Sequence, residues 1–352
     1  PVQYVDYTLW QHRLLGDDTD PDSLFARQLA YWTEALAGLP EQLELPTDRP
    51  RPAVASHRGD SVAVRITPEL HQRLTQLARS SGATLFMVIQ AGLAALLSKL
   101  GAGTDIPIGS PIAGRTDDAL DELVGFFVNT LVLRTDTSAD PTFAQLLARV
   151  RATDLGAYTH QDLPFEHLVE VLNPTRSLAR HPLFQVMLAF QNTPQAGLTL
   201  PGLDVHPHPV GTTTAKFDLG LNLREHRDTH GEPHGITGAI RYATDLFDRA
   251  SIETLATRLI RLLETVATDP DQPLSTIELL TAAERHQTLV EWNDTTHPIP
   301  AATLPELFEQ QVARAPDNTA LVFQDTALSY AQLNARANQL AHLLIDRGVG
   351  PE

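Results

Sequence analysis

The chain has 352 residues, of which 42% are apolar and 20% charged, a globular composition that excludes an intrinsically disordered protein. Lys and Arg total 26 and Asp and Glu 43, and the net charge of −17 argues against nucleic-acid binding and against docking on an anionic membrane. The absence of cysteine excludes disulfides, thiolate metal sites and a cysteine nucleophile. The length predicts about two domains.

The first hundred residues predict helices around one strand. Leu29, Trp32 and Leu36 recur at helical spacing, and the run at 85–97 is apolar but shorter than the roughly 20 residues that cross a bilayer. That run therefore predicts a buried core helix. The predicted elements are a helix at 23–39, an extended Pro-rich connection at 45–52, a strand at 59–66 and helices at 67–82 and 84–100.

The next part of the chain predicts a sheet covered by helices. Residues 183–190 are apolar on both faces, which favours a central strand, and the alternation at 217–223 and 236–242 predicts an antiparallel hairpin. Further predicted elements are strands at 106–112 and 128–135 and helices at 142–158 and 251–267. The expected fold class is α/β with a mixed sheet and flanking helices.

A Pro- and Asp-rich cluster at 269–273 predicts the end of the first domain. The expected domains are 1–275, a linker at 276–302 that contains a helix at 281–292, and a second domain beginning at 303–352. That last piece, with helices from 304 and 330 and a strand at 320–323, is too small to be stable alone. The start at Pro1 and the unfinished pattern at 350–352 predict a piece of a longer protein.

The residue patterns exclude several kinds of chemistry. Pairs of histidines at 206 and 208 and at 230 and 234 lie in Pro- or Gly-containing segments, which favours solvated loops over a metal site. The chain has no HExxH, GxSxG, P-loop or dinucleotide-binding glycine motif. The glycines at 101 and 103 follow the apolar helix and predict its C-terminal turn.

Two segments concentrate polar groups beside bulky apolar ones. In HQDLPFE at 160–166, Asp162 is predicted to cap a helix that starts near Pro164, with Glu166 in its first turn. In VGFFVNT at 124–130, Asn129 follows the bulky residues at the start of a strand. Its amide either donates hydrogen bonds into a channel or satisfies a strand edge.

Five segments in one order resemble the condensation domains of nonribosomal peptide synthetases. They are YVDYTLW at 4–10, QLAYW at 28–32 with the stretch 43–52, VGFFVNT at 124–130, HQDLPFE at 160–166 and RSLARHPL at 176–183. The last departs from the family pattern, because Ala179 replaces a serine. The resemblance implies a chloramphenicol-acetyltransferase-like fold and amide formation between carrier-bound thioesters.

The resemblance also implies what lies elsewhere. The family's HHxxxDG catalytic signature precedes the YxD motif, and no two histidines are adjacent in this chain. We therefore expect the C-terminal half of a condensation domain, with no catalytic residue of its own and no activity alone. The segment LSYAQL at 328–333 resembles the start of an adenylation domain, with Gln332 in place of Glu. Condensation followed by adenylation is the order of an elongation module.

Supporting residues and partners are implied by the same resemblance. The expected tunnel or supporting residues are Gly125, Asn129, Asp162, Pro164, Phe165, Glu166, Arg176 and Arg180. Expected partners are the missing N-terminal half and the upstream and downstream peptidyl carrier domains with their 4'-phosphopantetheine arms. ATP and Mg²⁺ would serve the incomplete adenylation domain at a site outside this chain. Neither a nucleic acid nor a membrane is expected as a partner, and the acidic surface suits a large cytoplasmic assembly.

Two alternatives stay open beside the catalytic one. Degenerate members of the family act as scaffolds that dock other proteins, and the residues before Pro1 would distinguish that case. An unrelated acyltransferase of the same fold would carry its own histidine motif, but it would not need the adenylation start. The adenylation start also argues against an epimerization domain.

Overall fold

A computed structural model describes residues 2–115, 117–191, 203, 213–298 and 301–350. The chain divides into two compact units, Pro1–Leu280 and Thr281–Glu352. The predicted loop histidines His206 and His208 lie outside the described residues, as does the end of the chain at 351–352.

The elements follow the predicted order closely. In the first unit they are α1 (Tyr4–Leu15), α2 (Leu24–Ala35), β1 (Gly59–Ile66), α3 (Pro68–Ser80), α4 (Leu85–Lys99), β2 (Asp105–Ile112), β3 (Asn129–Asp136), α5 (Phe143–Thr159), α6 (Phe165–Leu172), β4 (Val186–Gln191), β5 (Leu219–Arg227), β6 (Pro233–Ala243) and α7 (Arg249–Thr268). In the second they are α8 (Ala282–Leu289), α9 (Leu304–Arg314), β7 (Thr319–Phe323), β8 (Thr326–Ser329) and α10 (Tyr330–Asp346).

Six strands of the first unit form one mixed sheet, in the order β1-β6-β5-β4-β2-β3. β4 pairs in parallel with both β2 and β5, and the other neighbours are antiparallel. The predicted mixed α/β sheet, the central position of β4 and the β5–β6 hairpin are therefore confirmed. The second unit contains a separate antiparallel pair, β7 and β8.

The sheet buries both of its faces. In β4, Val186 and Leu188 pack into a large apolar cluster with α3, α4 and α7, whereas Met187 between them packs into a smaller cluster. Successive side chains of a strand point to opposite faces, so the two clusters lie on opposite sides of the sheet. The smaller cluster contains Trp32 of α2 and Leu168 of α6, and this layer carries the candidate site.

The proline-rich connection ties α2 to the far end of the first unit. The carboxylate of Asp48 accepts hydrogen bonds from Asp248 N (2.7 Å) and Ser251 Oγ (2.6 Å) at the start of α7. Asp248 provides no side-chain cap of its own, and its own backbone N–H is bound by a carboxylate 200 residues away. Arg51 pairs with both carboxylate oxygens of buried Asp218, at the start of β5. The predicted extended connection is thus a strap anchored by side chains.

Two elements were not predicted from the sequence, and one helix ends earlier than predicted. Helix α1 was not predicted, because it buries only Tyr7 and Leu15 and shows little apolar periodicity on its inner face. Strand β8 was not predicted either, because its turn with β7 places Gln324 rather than glycine in the left-handed region, at φ +52°. The predicted helix at 281–292 ends at Leu289 and is followed by a short 3₁₀ turn, Glu291–Asn293.

A polar cluster is buried between α4, α5 and β3. Asp154 is fully buried, and its Oδ1 accepts a hydrogen bond from Gln90 Nε2 at 3.0 Å. Asp154 Oδ2 and Gln90 Oε1 have no hydrogen-bond partner among the described residues. Burial raises the pKa of Asp154 to about 7 against the opposing effect of the Gln90 hydrogen bond.

Among the described residues, no single helix is long and apolar enough to cross a membrane. Helices α3 and α4 are long and apolar enough only when they are counted together, and the chain bends by 102° between them.

Candidate functional site

A cavity of about 250 Å³ lies where α1 meets the segments 124–130 and 160–166. Three of the segments singled out in the sequence therefore come together, although more than 150 residues separate the first from the last. The lining residues are Tyr7, Trp10, Gln11, Leu14, Ile112, Gly114, Phe126, Phe127, Val128, Asn129, Thr130, Gln161, Asp162, Pro164, Phe165 and Glu166.

Gly125 lies behind the cavity wall and makes room for α1. A Cβ at this position would lie 2.2 Å from the ring of Tyr4, so only glycine allows the observed packing. The Tyr4 hydroxyl donates to the carbonyl of Phe126 at 2.6 Å, and its ring packs edge-on against Phe127. The structure therefore gives Gly125 a packing role beside the cavity.

Asn129 holds the segment 161–165 with every atom of its amide. Its Nδ2 donates to the carbonyls of Gln161 (2.9 Å) and Leu163 (2.8 Å). Its Oδ1 accepts from the backbone N–H of Phe165 (3.1 Å) and of Thr130 (2.9 Å). Of the two uses foreseen for this amide, the structure shows neither a free donor nor a simple strand edge but a clamp on the neighbouring segment.

The predicted capping role of Asp162 is wrong. Helix α6 has Pro164 as its N-cap residue with no side-chain cap. Asp162 Oδ2 instead accepts a hydrogen bond from Gln28 Nε2 at 2.7 Å, and Gln28 Oε1 accepts the N–H of Leu163 at 2.8 Å. A buried amide such as that of Gln28 must find partners, and it takes the carboxylate. Glu166 does lie in the first turn of α6, as predicted.

Sequence reasoning assigned no role in the site to three residues of α2. Besides Gln28, Trp32 Nε1 donates to the carbonyl of His160 at 2.8 Å. The ring of Tyr31 stacks on that of His160, with centroids 3.9 Å apart and planes 5° from parallel. One signal could have found Gln28: with Trp32 and Leu36 it follows an i, i+4 row, so a polar residue continues the buried face.

Arg176 and Arg180 do not line the 250 Å³ cavity. Both line a neighbouring groove of about 590 Å³, which also reaches Glu166. Arg180 pairs with Glu41 at 3.0 Å, and the same carboxylate accepts from Thr175 Oγ1 at 2.7 Å. The structure thus collects Asn129, Asp162, Pro164, Phe165 and Glu166 in one pocket and leaves the arginines outside it.

The cavity is acidic and aromatic. Among the described residues, its lining contains the carboxylates of Asp162 and Glu166 but no lysine or arginine. Burial raises the pKa of the Tyr7 phenol, with smaller contributions from Tyr4 and Asp162. Behind the wall Phe165 stacks on His181, and burial lowers the pKa of that imidazole. The arrangement can orient a ligand, and either carboxylate of the cavity can accept hydrogen bonds from N–H groups of that ligand.

His226, His230 and His234, in and beside the β5–β6 turn, form no metal site in the part of the chain that the structure describes. No group of three or more His, Asp or Glu side chains there is placed to hold a metal ion. His226 instead contacts Thr237 Oγ1 at 2.6 Å across the hairpin.

Comparison with known proteins identifies the family. The family model described as "Condensation domain" matches residues 1–289, and that of "AMP-binding enzyme" matches residues 308–352. A dimodular nonribosomal peptide synthase of Bacillus subtilis (strain 168) is 57% identical over 351 residues. That alignment covers 100% of this chain, which spans 15% of the length of the relative.

Solved structures agree with this result. The X-domain in its complex with OxyB from teicoplanin biosynthesis is 39% identical, with a TM-score of 0.74, over 80% of this chain and 61% of that one. Holo-AB3403, a four-domain nonribosomal peptide synthetase bound to AMP and glycine, has a TM-score of 0.80 at 24% identity. It covers 99% of this chain and 27% of its own, and at that identity it supports the fold alone. The chain belongs to the condensation-domain family of nonribosomal peptide synthetases and continues into the start of an AMP-binding domain.

Proposed function

We propose that this chain is part of an elongation module whose condensation domain joins two carrier-bound substrates. The observation that carries the proposal is the 57% identity to a dimodular nonribosomal peptide synthase, which extends across both family matches in the order condensation then AMP-binding. In the proposed reaction, the amine of an acceptor aminoacyl thioester attacks the carbonyl of a donor thioester. The new C–N bond replaces the C–S bond, the donor thiol leaves and the amine loses a proton.

In this proposal the described residues form one wall of the reaction chamber. Asn129, Gln28 and Trp32 fix the segment 160–165, and preorganised walls of this kind hold reactants in the geometry of attack. Arg176 and Arg180, in the neighbouring groove, take a supporting role outside the chamber. The two thioesters arrive on 4'-phosphopantetheine arms of upstream and downstream carrier domains.

The catalytic histidine of this reaction would come from the N-terminal half of the domain, since the chain has no two adjacent histidines. A surface fit to receive that half adjoins the pocket. Val124 is 90% exposed and Phe126 74% exposed, and Trp10 of α1, which lines the same cavity as Phe126, is also exposed. Apolar patches of this kind mark interaction sites, and this one continues from the cavity wall.

The proposed domains are the condensation part at 1–275, a linker at 276–302 and the adenylation start at 303–352. The compact units divide at Leu280, between this linker's ends, and the family matches leave 290–307 unassigned. ATP and Mg²⁺ would serve the adenylation domain. The described part of residues 308–352 contains no group of three or more carboxylates and imidazoles placed to hold a metal ion.

The test of this function supplies purified protein with one donor-loaded and one acceptor-loaded carrier domain and measures peptide by mass spectrometry. We expect product from the intact synthetase and none from the 352-residue chain. No product from an intact synthetase whose carriers are verifiably loaded would contradict the proposed activity. Product from the chain alone would contradict the assignment of the catalytic histidine to residues outside it.

A second candidate is a protein-docking role. It is favoured by the 39% identity to the X-domain, which is seen in a complex with OxyB. The peptide assay and size-exclusion chromatography together separate the two candidates, because a docking domain yields no peptide but elutes together with a partner enzyme.

A further inference from the structure

Gln28 is the one side chain, among the described residues, that hydrogen-bonds the carboxylate of Asp162. Gln28 is 1% exposed, and both polar atoms of its amide are hydrogen-bonded: Nε2 donates to Asp162 Oδ2 and Oε1 accepts from Leu163 N. Asn129 holds the backbone on both sides of Asp162 but does not contact its side chain. The orientation of the carboxylate therefore depends on Gln28.

Gln28 is itself buried beside a second anchored side chain of α2. One turn further along α2, the Trp32 indole is buried and donates to His160 O, so the same helix face fixes both ends of the segment 160–163. A side chain in a packed environment with both polar atoms satisfied has little freedom left to lose. The Gln28 amide therefore holds the Asp162 carboxylate in a defined orientation.

We propose that Gln28 is a positioning residue of the condensation pocket, which holds Oδ2 of Asp162 so that Oδ1 is presented to the acceptor's amino group. The inference rests on the proposed function and names the substrate group that the pocket recognises. Asp162 lines the cavity, and within the described residues Oδ1 has no hydrogen-bond partner. A carboxylate oxygen fixed at one position is suited to accept an N–H of the attacking amine.

The two residues predict a specific pattern of kinetics. Gln28→Leu frees the carboxylate to rotate, and Asp162→Asn keeps an oxygen for Gln28 but presents an NH₂ group to the pocket. Each single variant should raise the KM for the acceptor-loaded carrier at least tenfold and change the KM for the donor-loaded carrier less than twofold. Because both changes remove the same oxygen, the double variant should be no worse than the worse single variant.

The inverted pair, Gln28→Glu combined with Asp162→Asn, separates positioning from stability. The carboxylate introduced at position 28 can accept from Leu163 N and from the amide introduced at position 162, so both hydrogen bonds are restored with the charge moved out of the pocket. We expect the melting temperature of this pair, measured on the 352-residue chain, to recover relative to Gln28→Leu, while the acceptor KM stays raised. Gln76→Leu, a glutamine-to-leucine change at an exposed position of α3, is the matched control and should alter neither quantity.

The experiment is done in the intact synthetase with carriers loaded separately. The proposal is overturned if Gln28→Leu leaves the acceptor KM within twofold of wild type, if the two single losses add, or if the inverted pair restores the KM. An inactive wild-type synthetase would instead overturn the proposed function, and this inference with it.

Discussion

Two regions of the first unit, on opposite faces of one sheet, are stabilised by different interactions. The layer formed by α3, α4 and α7 is apolar, and residues 87–97 of α4 are all buried. The layer that carries the pocket has a smaller apolar cluster, and its central segment 160–165 is fixed by Gln28, Trp32 and Asn129 through hydrogen bonds to distant residues.

The two layers are expected to contribute differently to the stability of the fold and to the geometry of the pocket. Apolar burial contributes free energy in proportion to area but specifies geometry loosely, whereas buried hydrogen bonds are directional and costly to break. The first layer is therefore expected to set the free energy of unfolding and the second to set the shape of the pocket. The following variants test that division, from the largest expected effect to the smallest.

Leu96→Ala should destabilise the first unit by about 2–5 kcal/mol, because Leu96 is fully buried in α4 and its truncation leaves a cavity. Denaturant unfolding followed by the fluorescence of buried Trp32 measures the effect. Leu178→Ala, at a residue that is 75% exposed, is the control and should stay within about 0.5 kcal/mol. Equal effects from the two variants would contradict the assignment of the core.

Asn129→Ala should cost about 2–3 kcal/mol, because it removes four hydrogen bonds to the backbone. The loss should be local: amide hydrogen exchange at Phe165 should accelerate while exchange in β4 and β5 stays unchanged. Asn129→Asp keeps the oxygen that accepts from the N–H groups of Thr130 and Phe165. It places its second oxygen against the two carbonyls that the amide nitrogen of Asn129 binds. It should therefore be at least as destabilising as Asn129→Ala, and the reverse order would refute the importance of the two donated bonds.

Asp154→Asn should stabilise the first unit above neutral pH. The pKa of Asp154 is about 7 in the folded chain against 3.8 in the unfolded chain, so folding favours the protonated form. The stability contributed by the neutral carboxyl is complete below about pH 4 and is lost as the pH rises toward about 7. Asparagine carries no charge, so the variant should be more stable by about 1–3 kcal/mol at pH 8, with the difference vanishing near pH 4. A pH-independent difference in urea midpoints would contradict this result.

Gly125→Ala should cost about 1 kcal/mol, because the new Cβ collides with the Tyr4 ring, which is partly exposed and can move. In a Tyr4→Ala background the cost should fall but not vanish, because the new Cβ would still lie 2.9 Å from the buried ring of Phe127. Unfolding free energies of the four proteins in this cycle measure the coupling, and strict additivity would show that Tyr4 is not the obstacle.

The sequence pattern predicted the apolar layer and left much of the pocket layer undetermined. Leu255, Leu259 and Leu262 recur at helical spacing within α7 and are all buried, and turn residues mark where the helices begin and end. The mixed sheet and the position of β4 followed from the same local signals. Helix α1 was not predicted, because its exposed face is as apolar as its buried face.

The candidate site was predicted only as a set of segments. The motifs at 124–130 and 160–166 were recognised, but the Asp162–Gln28 bond joins residues 134 positions apart, and no local spacing encodes it. The local sequence predicted a helix cap for Asp162. In the structure its carboxylate instead accepts a hydrogen bond from Gln28 of α2. Arg176 and Arg180 show the same limit, because their motif is close in sequence to the pocket while their side chains lie in the next groove.

The strap at 45–52 is anchored late during synthesis. Asp48 and Arg51 have partners at residues 218, 248 and 251, so their side-chain contacts cannot form until those residues have been made. At about 5–20 residues per second, about 200 residues take about 10–40 s to emerge. Gln28 meets its partners sooner, because Asp162 and Leu163 follow it by 134 and 135 residues. The pocket layer is therefore expected to be in place before the strap is anchored on α7.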